Sequence, residues 1–564
     1  MTQTLDLTTE QINDLPLLLG LVEEMDIRAL IDAQIRPHGG WQGISVGTVV
    51  SIWLCHVLME RDHRLVSVRD WAAARTQTLN ALLGVQLRET DLTDDRLANV
   101  LTMLSGPEDQ AALDQALLAD WIRVYALPQD LVRLDSTSVS VYQDPTPPAG
   151  LLRHGVSKEH RPDLAQFKVM LASLDPLGLP LACQAVAGNR SDDLLYIPAY
   201  DAAMQTLPTR AVLVVGDSKM AALGTRAHIV RSGSAYLCPY RPAHATAQIT
   251  DWISDALDYA AEWQTLQAVD ERTGEVTTLA VIDVWEREQQ DGETTWTERV
   301  LVARSTALQA GHRRKRERAL ARVSEQVAAL SRPPGRGRRV YLTAAAVQAA
   351  VAGLLYVAHL EGIVWVEPQE HTRRDGTTCW TVGAFGVDLA AWQDMVDRLG
   401  WQVYLTSTTP QQYAACVLVE AYRQQVIQER GFARLKTRNL HIRPLYLSDE
   451  RRIAGLTWLL CLALRVLTLT EYRLRRALQQ QGATLTGLNP ASRSQTTQRP
   501  TTERVIAAFQ HITWTAVRLP EALHHHVTPL TPTQEQILAL LHLPPDLYAR
   551  LASPCPKPLL YLRE

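Results

Sequence analysis

Three acidic residues lie in local settings from which their carboxylates could meet. Asp135 lies inside the apolar, β-prone run 131–137, and Asp217 ends a second such run, 211–217. Glu429 lies in a stretch of helix-forming residues. Carboxylates are the hard oxygen ligands that Mg²⁺ prefers. Two such ions, roughly 3.5–4 Å apart, can activate an attacking oxygen and stabilise a leaving oxygen at a phosphodiester. The three residues therefore predict metal-assisted phosphoryl transfer.

The segment around Glu429 has a second pattern. Residues 411–436 are predicted to form one helix, in which Tyr422, Glu429 and Lys436 are spaced by seven residues. A seven-residue interval drifts only about 20° on an ideal helix, so the three side chains would share one face, with Gln425 beside them. An aromatic ring for a DNA strand, a carboxylate for a metal and an ammonium for a phosphate form a coherent set. For this helix alone, an ordinary solvated face is the alternative.

The order and spacing of these motifs resemble a DDE transposase of bacterial insertion sequences. In the branch of that family that the chain is most similar to, the last catalytic helix has the signature Tyr-x2-Arg-x3-Glu-x6-Lys. The corresponding residues here are Tyr422, Gln425, Glu429 and Lys436, so that Gln replaces the Arg. Other segments that carry the resemblance are 134–137, 154–163, 180–189, 216–221 and 442–446. The resemblance spans most of the chain and is weakest over 241–400 and the C-terminal tail.

The resemblance implies a fold and a reaction. The core would be a ribonuclease H-like mixed sheet flanked by helices, interrupted by a β-rich insertion before the Glu429 helix. Asp135, Asp217 and Glu429 would hold two Mg²⁺ ions, with Mn²⁺ as a substitute. The enzyme would hydrolyse DNA at the ends of the element, and the freed 3′-OH would then attack target DNA. The implied partners are double-stranded DNA, at terminal inverted repeats and target, and a second copy of the chain in a homodimer.

Basic residues near these motifs are candidates for contacts with DNA. Only six of the 56 basic residues are lysines, and four of them lie in the segments around the carboxylate motifs. An ammonium and a guanidinium are not interchangeable at a crowded phosphate site, although chance can also explain so small a number. The predicted DNA-binding residues in these segments are Tyr422, Lys436, Lys219 and Arg434.

The densest basic region lies in the predicted insertion. Over 313–339 there are ten basic residues and two glutamates. A charged run is often only a solvated helix face, but this excess favours contact with the DNA backbone. The residues predicted to make it are Arg313, Arg314, Lys315 and Arg316, with Arg332, Arg336, Arg338 and Arg339 further along.

Four other aspartates are alternative candidates for metal ligands. Asp175 fits a hairpin turn formed by residues 175–178, and Asp192 and Asp193 lie at a predicted helix start, where capping is the usual role. Asp163 lies in a polar segment. These four residues are therefore expected to be structural.

The predicted fold class is α/β, and at 564 residues the chain is too long for one ordinary core. Hydrophobic spacing changes along the sequence from helical to strand-like and back. The predicted parts are a helical N-terminal domain for DNA-end binding and assembly (1–125), the first part of the core (126–240), the β-rich insertion with a basic helix at about 307–330 (241–400), the second part of the core (401–480), and a linker with a small helical tail (481–564).

Composition narrows the class of protein. Apolar content of 46% and charged content of 21% are typical of globular proteins. The net charge of −4 argues against a surface that is basic throughout, but it is compatible with a locally basic groove that binds nucleic acid. The N-terminus has no secretory pattern, the seven cysteines have no metal-ligand spacing, and the apolar run 453–469 is predicted to be a buried helix. These features predict a cytoplasmic protein of a reducing compartment, without a membrane partner.

Two other functions remain open from the sequence. One is a DNA-binding relic that has kept the fold and lost cleavage, an idea that Gln425 favours. The other is a ribonuclease H-like nuclease without strand transfer, although a simple nuclease needs neither the long insertion nor the N-terminal domain. The end sequence recognised, the target preference, the cleavage pathway and the domain that dimerises cannot be read from the sequence.

Overall fold

The computed structural model describes residues 6–145, 150–209, 211–241, 245–269, 274, 276–332, 339–373, 375–489, 491–492, 494–519, 522–553, 556 and 558–559. They divide into two compact units. Unit one holds the described residues up to Tyr236, Asp291–Thr294 and the residues from Arg423 onward. Unit two holds Leu237–Gln290 and Thr295–Tyr422. All three predicted catalytic carboxylates lie in unit one.

The N-terminal part of unit one is mostly helical, as the sequence predicted. Helix α3 is buried from Val46 to Leu58, and Ser45 caps it by accepting a hydrogen bond from the backbone N–H of Thr48. One strand precedes the helices. The elements are β1 (Asp6–Gln11), α1 (Leu15–Glu24), α2 (Ile27–Gln34), α3 (Val46–Glu60), α4 (Leu65–Ala73), α5 (Thr76–Leu83), α6 (Asp94–Met103) and α7 (Pro107–Val124).

The first part of the predicted core is the mixed sheet that the sequence indicated. Three antiparallel strands lie in the order β4-β3-β2, and β5 adds to the other side of β2 in parallel. Every residue of β3 is buried, as expected for a strand that is covered on both faces. The elements are β2 (Leu131–Val141), β3 (Ala165–Leu174), β4 (Leu179–Ala187), α8 (Tyr196–Thr206), β5 (Leu213–Gly216), α9 (Leu223–Arg231) and β6 (Ala235–Pro239).

Unit two is rich in β structure, as predicted for the insertion. One of its sheets has the strand order β6-β12-β9-β8-β7, and β10 and β11 form a separate hairpin that packs on α11 and α12. Its further elements are α10 (Thr246–Asp258), β7 (Gln264–Val269), β8 (Val276–Asp291), β9 (Thr294–Ser305), α11 (Thr306–Leu330), α12 (Ala344–Ala358), β10 (Val364–Thr372), β11 (Thr378–Val387), α13 (Leu389–Asp397), β12 (Trp401–Thr406) and α14 (Ala415–Arg423).

The chain returns to unit one and ends in a tail that contains strands as well as helices. Strand β15 pairs with both β1 and β16. The sequence predicted helices at both termini but not the small three-stranded sheet that joins them. The elements are α15 (Val426–Ala433), α16 (Glu450–Gln481), β13 (Leu485–Thr486), β14 (Thr496–Thr497), α17 (Thr502–Ala507), β15 (Thr513–Arg518), β16 (Leu523–Val527) and α18 (Pro532–Leu540).

Helix α16 is the central helix of unit one. Among the described residues it alone is long and apolar enough to cross a membrane, yet 94% of its most apolar window is buried within the protein. Arg465 in its middle is fully buried and is satisfied by Asp114 at 2.5 Å and by the carbonyl oxygens of Pro180 and Leu181. A buried charge needs such partners, so α16 is a core helix that ties α7 to β4. The six cysteines in the described residues are free, and Cys555 lies outside them.

Candidate active site

Asp135 and Asp217 are brought together by the register of two parallel strands. Leu134 of β2 is paired with Gly216 of β5, so the next residue of each strand lies at the same level of the sheet. Neighbouring strands are about 4.8 Å apart, and residues at one level point to the same face. The two aspartates predicted from far-apart segments therefore lie side by side.

The carboxyl group of Asp135 is half-buried and lies among other charges. Burial raises the pKa of Asp135 to about 6, and the charges of Asp217 and Asp192 act in the same direction. Lys158 and a hydrogen bond from the backbone N–H of Ser136, at 2.7 Å, oppose the rise. Burial is the main cause of this rise, and the neighbouring carboxylates of Asp217 and Asp192 add negative charge that a cation would offset.

Asp217 is oriented by two hydrogen bonds to one of its oxygens. The Tyr196 hydroxyl donates to Oδ1 at 2.6 Å, and the backbone N–H of Lys219 donates to the same atom at 2.8 Å. Burial, followed by the charges of Asp217 and Asp135, raises the pKa of Tyr196 well above its usual value, so the phenol remains a donor. The chain needs a glycine at Gly216, because a Cβ there would lie 2.6 Å from the sulfur of Met220.

A further aspartate, Asp192, lies close enough to affect Asp135. The sequence assigned Asp192 to helix capping, and this was wrong: its carboxylate is 2.6 Å from the Lys168 ammonium and 3.6 Å from that of Lys158. Burial alone would raise the pKa of Asp192, but the hydrogen bond from Lys168 and the two lysine charges lower it on balance. Lys158 also donates to the carbonyl oxygen of Ser136 at 2.8 Å. The sequence showed these lysines near the carboxylate motifs, but no local pattern indicated that Asp192 would pair with two of them.

Of the other three rival aspartates, Asp175 lies in the predicted hairpin turn, whereas Asp193 lies in a short 3₁₀ helix, 192–195, that has no side-chain cap hydrogen bond. Asp175 binds the Arg133 guanidinium at 2.9 Å at the end of the β3–β4 hairpin. Asp163 pairs with Arg161 at 2.7 Å, and Asp193 accepts a hydrogen bond from Ser191.

Helix α15, which carries Glu429, is fixed on the sheet by its neighbours. Gln428 donates to the carbonyl oxygen of Leu171 at 3.3 Å, and Leu171 is the residue of β3 that pairs with Asp135. Gly178 lies in the turn between β3 and β4, and a Cβ on it would lie 2.8 Å from the side chain of Ile427. Helix α15 and the β3–β4 hairpin are therefore in close contact. Glu429 itself is exposed, and its side chain makes no hydrogen bond or ion pair with the described residues.

The predicted continuous helix over 411–436 is wrong. Helix α14 ends at Arg423, α15 begins at Val426, and residues 434–438 form a π-helical turn. Gln425 lies in the interruption. Tyr422 belongs to unit two, where its ring is 4.8 Å from that of Tyr404. The heptad spacing of Tyr422, Glu429 and Lys436 therefore does not place them on one face of a single helix.

Two predicted DNA-binding residues are engaged within the protein. Arg434 is buried, and its guanidinium binds Glu503 at 2.7 Å and also Glu471. It is not available to DNA in this structure, which corrects the prediction. The Lys436 ammonium binds Glu159 at 2.8 Å, and burial lowers the pKa of Lys436. Lys219, in contrast, is exposed beside Asp217.

The basic helix of unit two is α11, at the predicted place. Arg314 and Lys315 are exposed, and Arg313 pairs with Glu317 at 2.9 Å. Arg316 donates to the carbonyl oxygens of residues 358 and 359 at 3.0 and 3.1 Å, so it caps the end of α12 instead of facing DNA. Arg332 and Arg339 are exposed, whereas Arg336 and Arg338 lie outside the described residues.

The chemistry of the donors fits a divalent cation. Asp135 and Asp217 each have one oxygen that accepts no hydrogen bond from the described residues, and only oxygen ligands are offered, as Mg²⁺ requires. Among the residues that the structure describes, no group of three or more His, Cys, Asp or Glu side chains is arranged to hold an ion. The structure brings Asp135 and Asp217 together, whereas Glu429 is exposed and makes no contact with either of them through a hydrogen bond.

Comparisons with known proteins identify the family of the chain. A sequence model described as the transposase DDE domain matches residues 127–466, which is more than half of the chain and includes all three carboxylates. A second, described as a domain of unknown function, matches residues 7–115. No curated protein matches. A cryo-EM structure of the piggyBac transposase synaptic complex with hairpin DNA is similar over 83% of this chain and 76% of that chain, with 7% identity and a TM-score of 0.32. The match over 127–466 shows that the chain belongs to the family of transposases with a DDE domain.

Proposed function

We propose that this transposase cuts DNA at the ends of a bacterial insertion sequence and joins the freed 3′-OH ends to target DNA. The observation that carries the proposal is the adjacent placement of Asp135 and Asp217 on parallel strands. Divalent ions, when bound, would activate the attacking oxygen and stabilise the leaving one. Mg²⁺ is the expected ion, with Mn²⁺ as a substitute. We expect the protein to act in the bacterial cytoplasm, where its DNA substrates lie.

Each residue of the site has a separate task in this proposal. Asp135 and Asp217 hold the ions, and Tyr196 keeps Asp217 in one orientation through the 2.6 Å hydrogen bond. Glu429 is the third ligand and closes on the pair when ions and DNA are present. The charge of Lys158 lowers the pKa of Asp135 and so favours its ionised form. A homodimer would bring two such sites to the two ends of one element.

The test is cleavage and joining in vitro of a duplex that carries the terminal inverted repeats flanking this gene. We expect Mg²⁺-dependent cuts and joined products from the wild type. Asp217→Ala should lower the cutting rate by more than the roughly 10–100-fold that loss of a residue behind a metal ligand costs. Asp201→Ala, which removes an exposed carboxylate paired with His228, is the matched control and should cut normally. Cut but unjoined products would identify a nuclease without strand transfer.

A second candidate is the DNA-binding relic, which Gln425 at the signature position favours. If the wild type binds the repeats and does not cut them, the variant Gln425→Arg distinguishes two causes. Cutting restored by Gln425→Arg assigns the loss to that one residue. Persistent inactivity of both proteins contradicts the proposed enzyme.

A further inference from the structure

The Lys158 side chain meets strand β2 one residue beyond Asp135. Its ammonium group donates to the carbonyl oxygen of Ser136 at 2.8 Å and to the Ser136 hydroxyl oxygen at 3.2 Å. The parallel pairing of β2 with β5 ends one residue before Asp135, so Lys158 contacts β2 just past the last paired level of the two strands. A lysine charge is therefore held next to the carboxylate pair of Asp135 and Asp217.

Lys158 is also the charged group that acts most strongly on Asp135. Burial raises the pKa of Asp135, and the charge of Lys158 opposes this rise with a larger effect than the charge of Asp217 or of Asp192 has in favour of it. Interactions between charges weaken with distance, so the ammonium group lies close to the Asp135 carboxyl group. In the structure, the negative charge of the two aspartates partly balances this lysine.

Among the described residues, the only carboxylate that forms an ion pair with Lys158 is shared with a second lysine. Asp192 is 3.6 Å from the Lys158 ammonium group but 2.6 Å from that of Lys168, which also donates to the carbonyl oxygen of Arg190 at 2.7 Å. The Lys168 side chain is 8% exposed, whereas that of Lys158 is 40% exposed. Lys168 therefore balances Asp192 within the protein, and Lys158 keeps a charge that a ligand can reach from solvent.

A neighbouring lysine, Lys436, is already engaged. Its ammonium group is 2.8 Å from Glu159, which also binds Arg443 at 2.5 Å. Burial lowers the pKa of Lys436, and the charges of Arg443 and Lys158 lower it further, so the two ammonium groups lie near each other. Of these two lysines, Lys158 is the one that has no carboxylate of the described residues at hydrogen-bond distance.

We propose that Lys158 is a catalytic residue, whose ammonium group binds a non-bridging oxygen of the DNA phosphate group at Asp135 and Asp217. Positive groups placed where negative charge develops on a transferring phosphoryl group stabilise the transition state. An ammonium group on a flexible stem has three donors with which to meet such oxygens. When the two aspartates hold divalent ions, they no longer balance Lys158, and a phosphate oxygen can take their place. This inference rests on the proposed function, since it names a residue that contacts the substrate of that function.

The test measures whether Lys158 and one phosphate group act as a pair. The probe is a fluorescent duplex with the terminal inverted repeat that flanks this gene, in which one phosphate at a time along the terminal turn is replaced by a neutral methylphosphonate. Binding is measured by anisotropy in CaCl₂, because Ca²⁺ takes the same oxygen ligands as Mg²⁺. At one position the neutral group should weaken binding to the wild type by about tenfold or more, the usual effect of losing a hydrogen bond between charged groups.

The variants assign this effect to the lysine. Lys158→Gln should bind the unmodified duplex more weakly by a similar factor, and the methylphosphonate at that position should then have little further effect. Lys158→Arg keeps the charge and should keep part of the wild-type response. Arg123→Gln removes an exposed cation of α7 and is the control, which should respond to every methylphosphonate as the wild type does. If Lys158 only fastens its segment to β2, the methylphosphonate effects in Lys158→Gln equal those in the wild type, and the inference is overturned.

The remaining outcomes separate this inference from the proposed function. The wild type alone can overturn it: if no single methylphosphonate weakens binding, no phosphate is held at the site. Lys158→Met, which keeps most of the lysine stem, replaces Lys158→Gln if that variant does not fold. Cutting of the inverted repeats in Mg²⁺ without any pairing between Lys158 and a phosphate overturns the inference and leaves the proposed function standing. Pairing without cutting supports the phosphate contact and contradicts the proposed enzyme, and absence of any DNA binding by the wild type contradicts both.

Discussion

The side chain of Gln428 donates a hydrogen bond to the carbonyl oxygen of Leu171, 3.3 Å away, and so fastens α15 to the strand next to Asp135. The residue after it is Glu429, the third predicted metal ligand. A carboxylate on this helix can reach the two aspartates only if the helix keeps its place over β3. In the proposed reaction, the bond between Gln428 and Leu171 would be a positioning contact.

Gln428→Leu tests this contact. The substitution removes the donor but also an amide oxygen that is buried without a partner, so we expect the free energy of unfolding to change by no more than about 1 kcal/mol. Cutting should nevertheless fall about 10–100-fold, because small displacements of a catalytic group have effects of that size. Rates are measured on inverted-repeat DNA, and stability by urea unfolding. Gln115→Leu, at an exposed site on α7, should alter neither. A normal rate in Gln428→Leu would exclude the positioning role.

Tyr196→Phe tests the orientation of Asp217. Without the hydroxyl, Oδ1 of Asp217 keeps only the bond from the backbone N–H of Lys219. Loss of a residue that orients a metal ligand typically costs 10- to 100-fold in metal affinity or activity, and we expect the Mg²⁺ concentration for half-maximal cutting to rise by about that factor. Tyr200→Phe is a close control, since Tyr200 lies one turn further on α8 and its buried hydroxyl binds Ser234 at 2.9 Å. Equal Mg²⁺ dependence in both variants would contradict the assignment.

Gly216→Ala tests the tight packing behind the two aspartates. The added methyl group would lie 2.6 Å from the Met220 sulfur and 3.0 Å from Cε1 of Tyr196, both of which belong to buried side chains. Overpacking of this kind costs about 1–3 kcal/mol, so the variant should melt at a lower temperature. Gly224→Ala, where no atom lies within 4 Å of the new Cβ, should be neutral or slightly stabilising. Equal melting temperatures for the two variants would show that Met220 and Tyr196 can move to accept the methyl group, and would contradict tight packing at this end of the sheet.

Local patterns in the sequence predicted the strands of the core well. The runs that contain Asp135 and Asp217 are apolar and β-branched, and they form β2 and β5 because the sheet is covered on both faces. The parallel pairing that aligns the two aspartates follows from the alternation of strands and helices. The meeting of the Asp135 and Asp217 carboxylates could therefore be predicted from local patterns alone.

Contacts between distant segments limited what the sequence could predict. Strand β1 is stabilised by β15, some five hundred residues away, and no local period reveals that partner. The interruption at Gln424 and Gln425 has no Gly or Pro to mark it. Asp192 follows a helix-start pattern, yet its partners Lys158 and Lys168 come from other segments. These errors share one cause: tertiary contacts outweighed the local preference.

Asp14 predicts a pH dependence of stability that is separate from catalysis. The residue is fully buried at the start of α1, its Oδ2 has no hydrogen-bond partner among the described residues, and Oδ1 accepts only a long bond from Gln510 at 3.4 Å. Burial, with a smaller contribution from Glu60, raises the pKa of Asp14 from 3.8 to about 7. Between pH 3.8 and about 7, Asp14 is therefore protonated in the folded protein and ionised in the unfolded chain.

This difference in proton binding fixes the sign of the effect. The contribution of Asp14 to stability is fully present below pH 3.8 and is lost as pH rises through about 7. A shift of this size corresponds to roughly 4 kcal/mol. Burial lowers the pKa values of His56 and His63 from 6.5 to about 4, so their contribution to stability rises with pH between these values. The pH dependence of the wild type therefore combines the effects of Asp14 and of the two histidines.

The measurement is the difference in the free energy of unfolding between Asp14→Asn and the wild type, by urea unfolding from pH 4 to pH 8. The asparagine side chain has nearly the same shape as the aspartate and does not titrate. His56 and His63 contribute equally to the stability of both proteins, so their effect cancels in the difference. We expect Asp14→Asn to gain stability relative to the wild type as pH rises, by up to a few kcal/mol. A difference that stays constant over this range would mean that the carboxyl group titrates near its ordinary pKa, and that water or a partner reaches it in the folded protein.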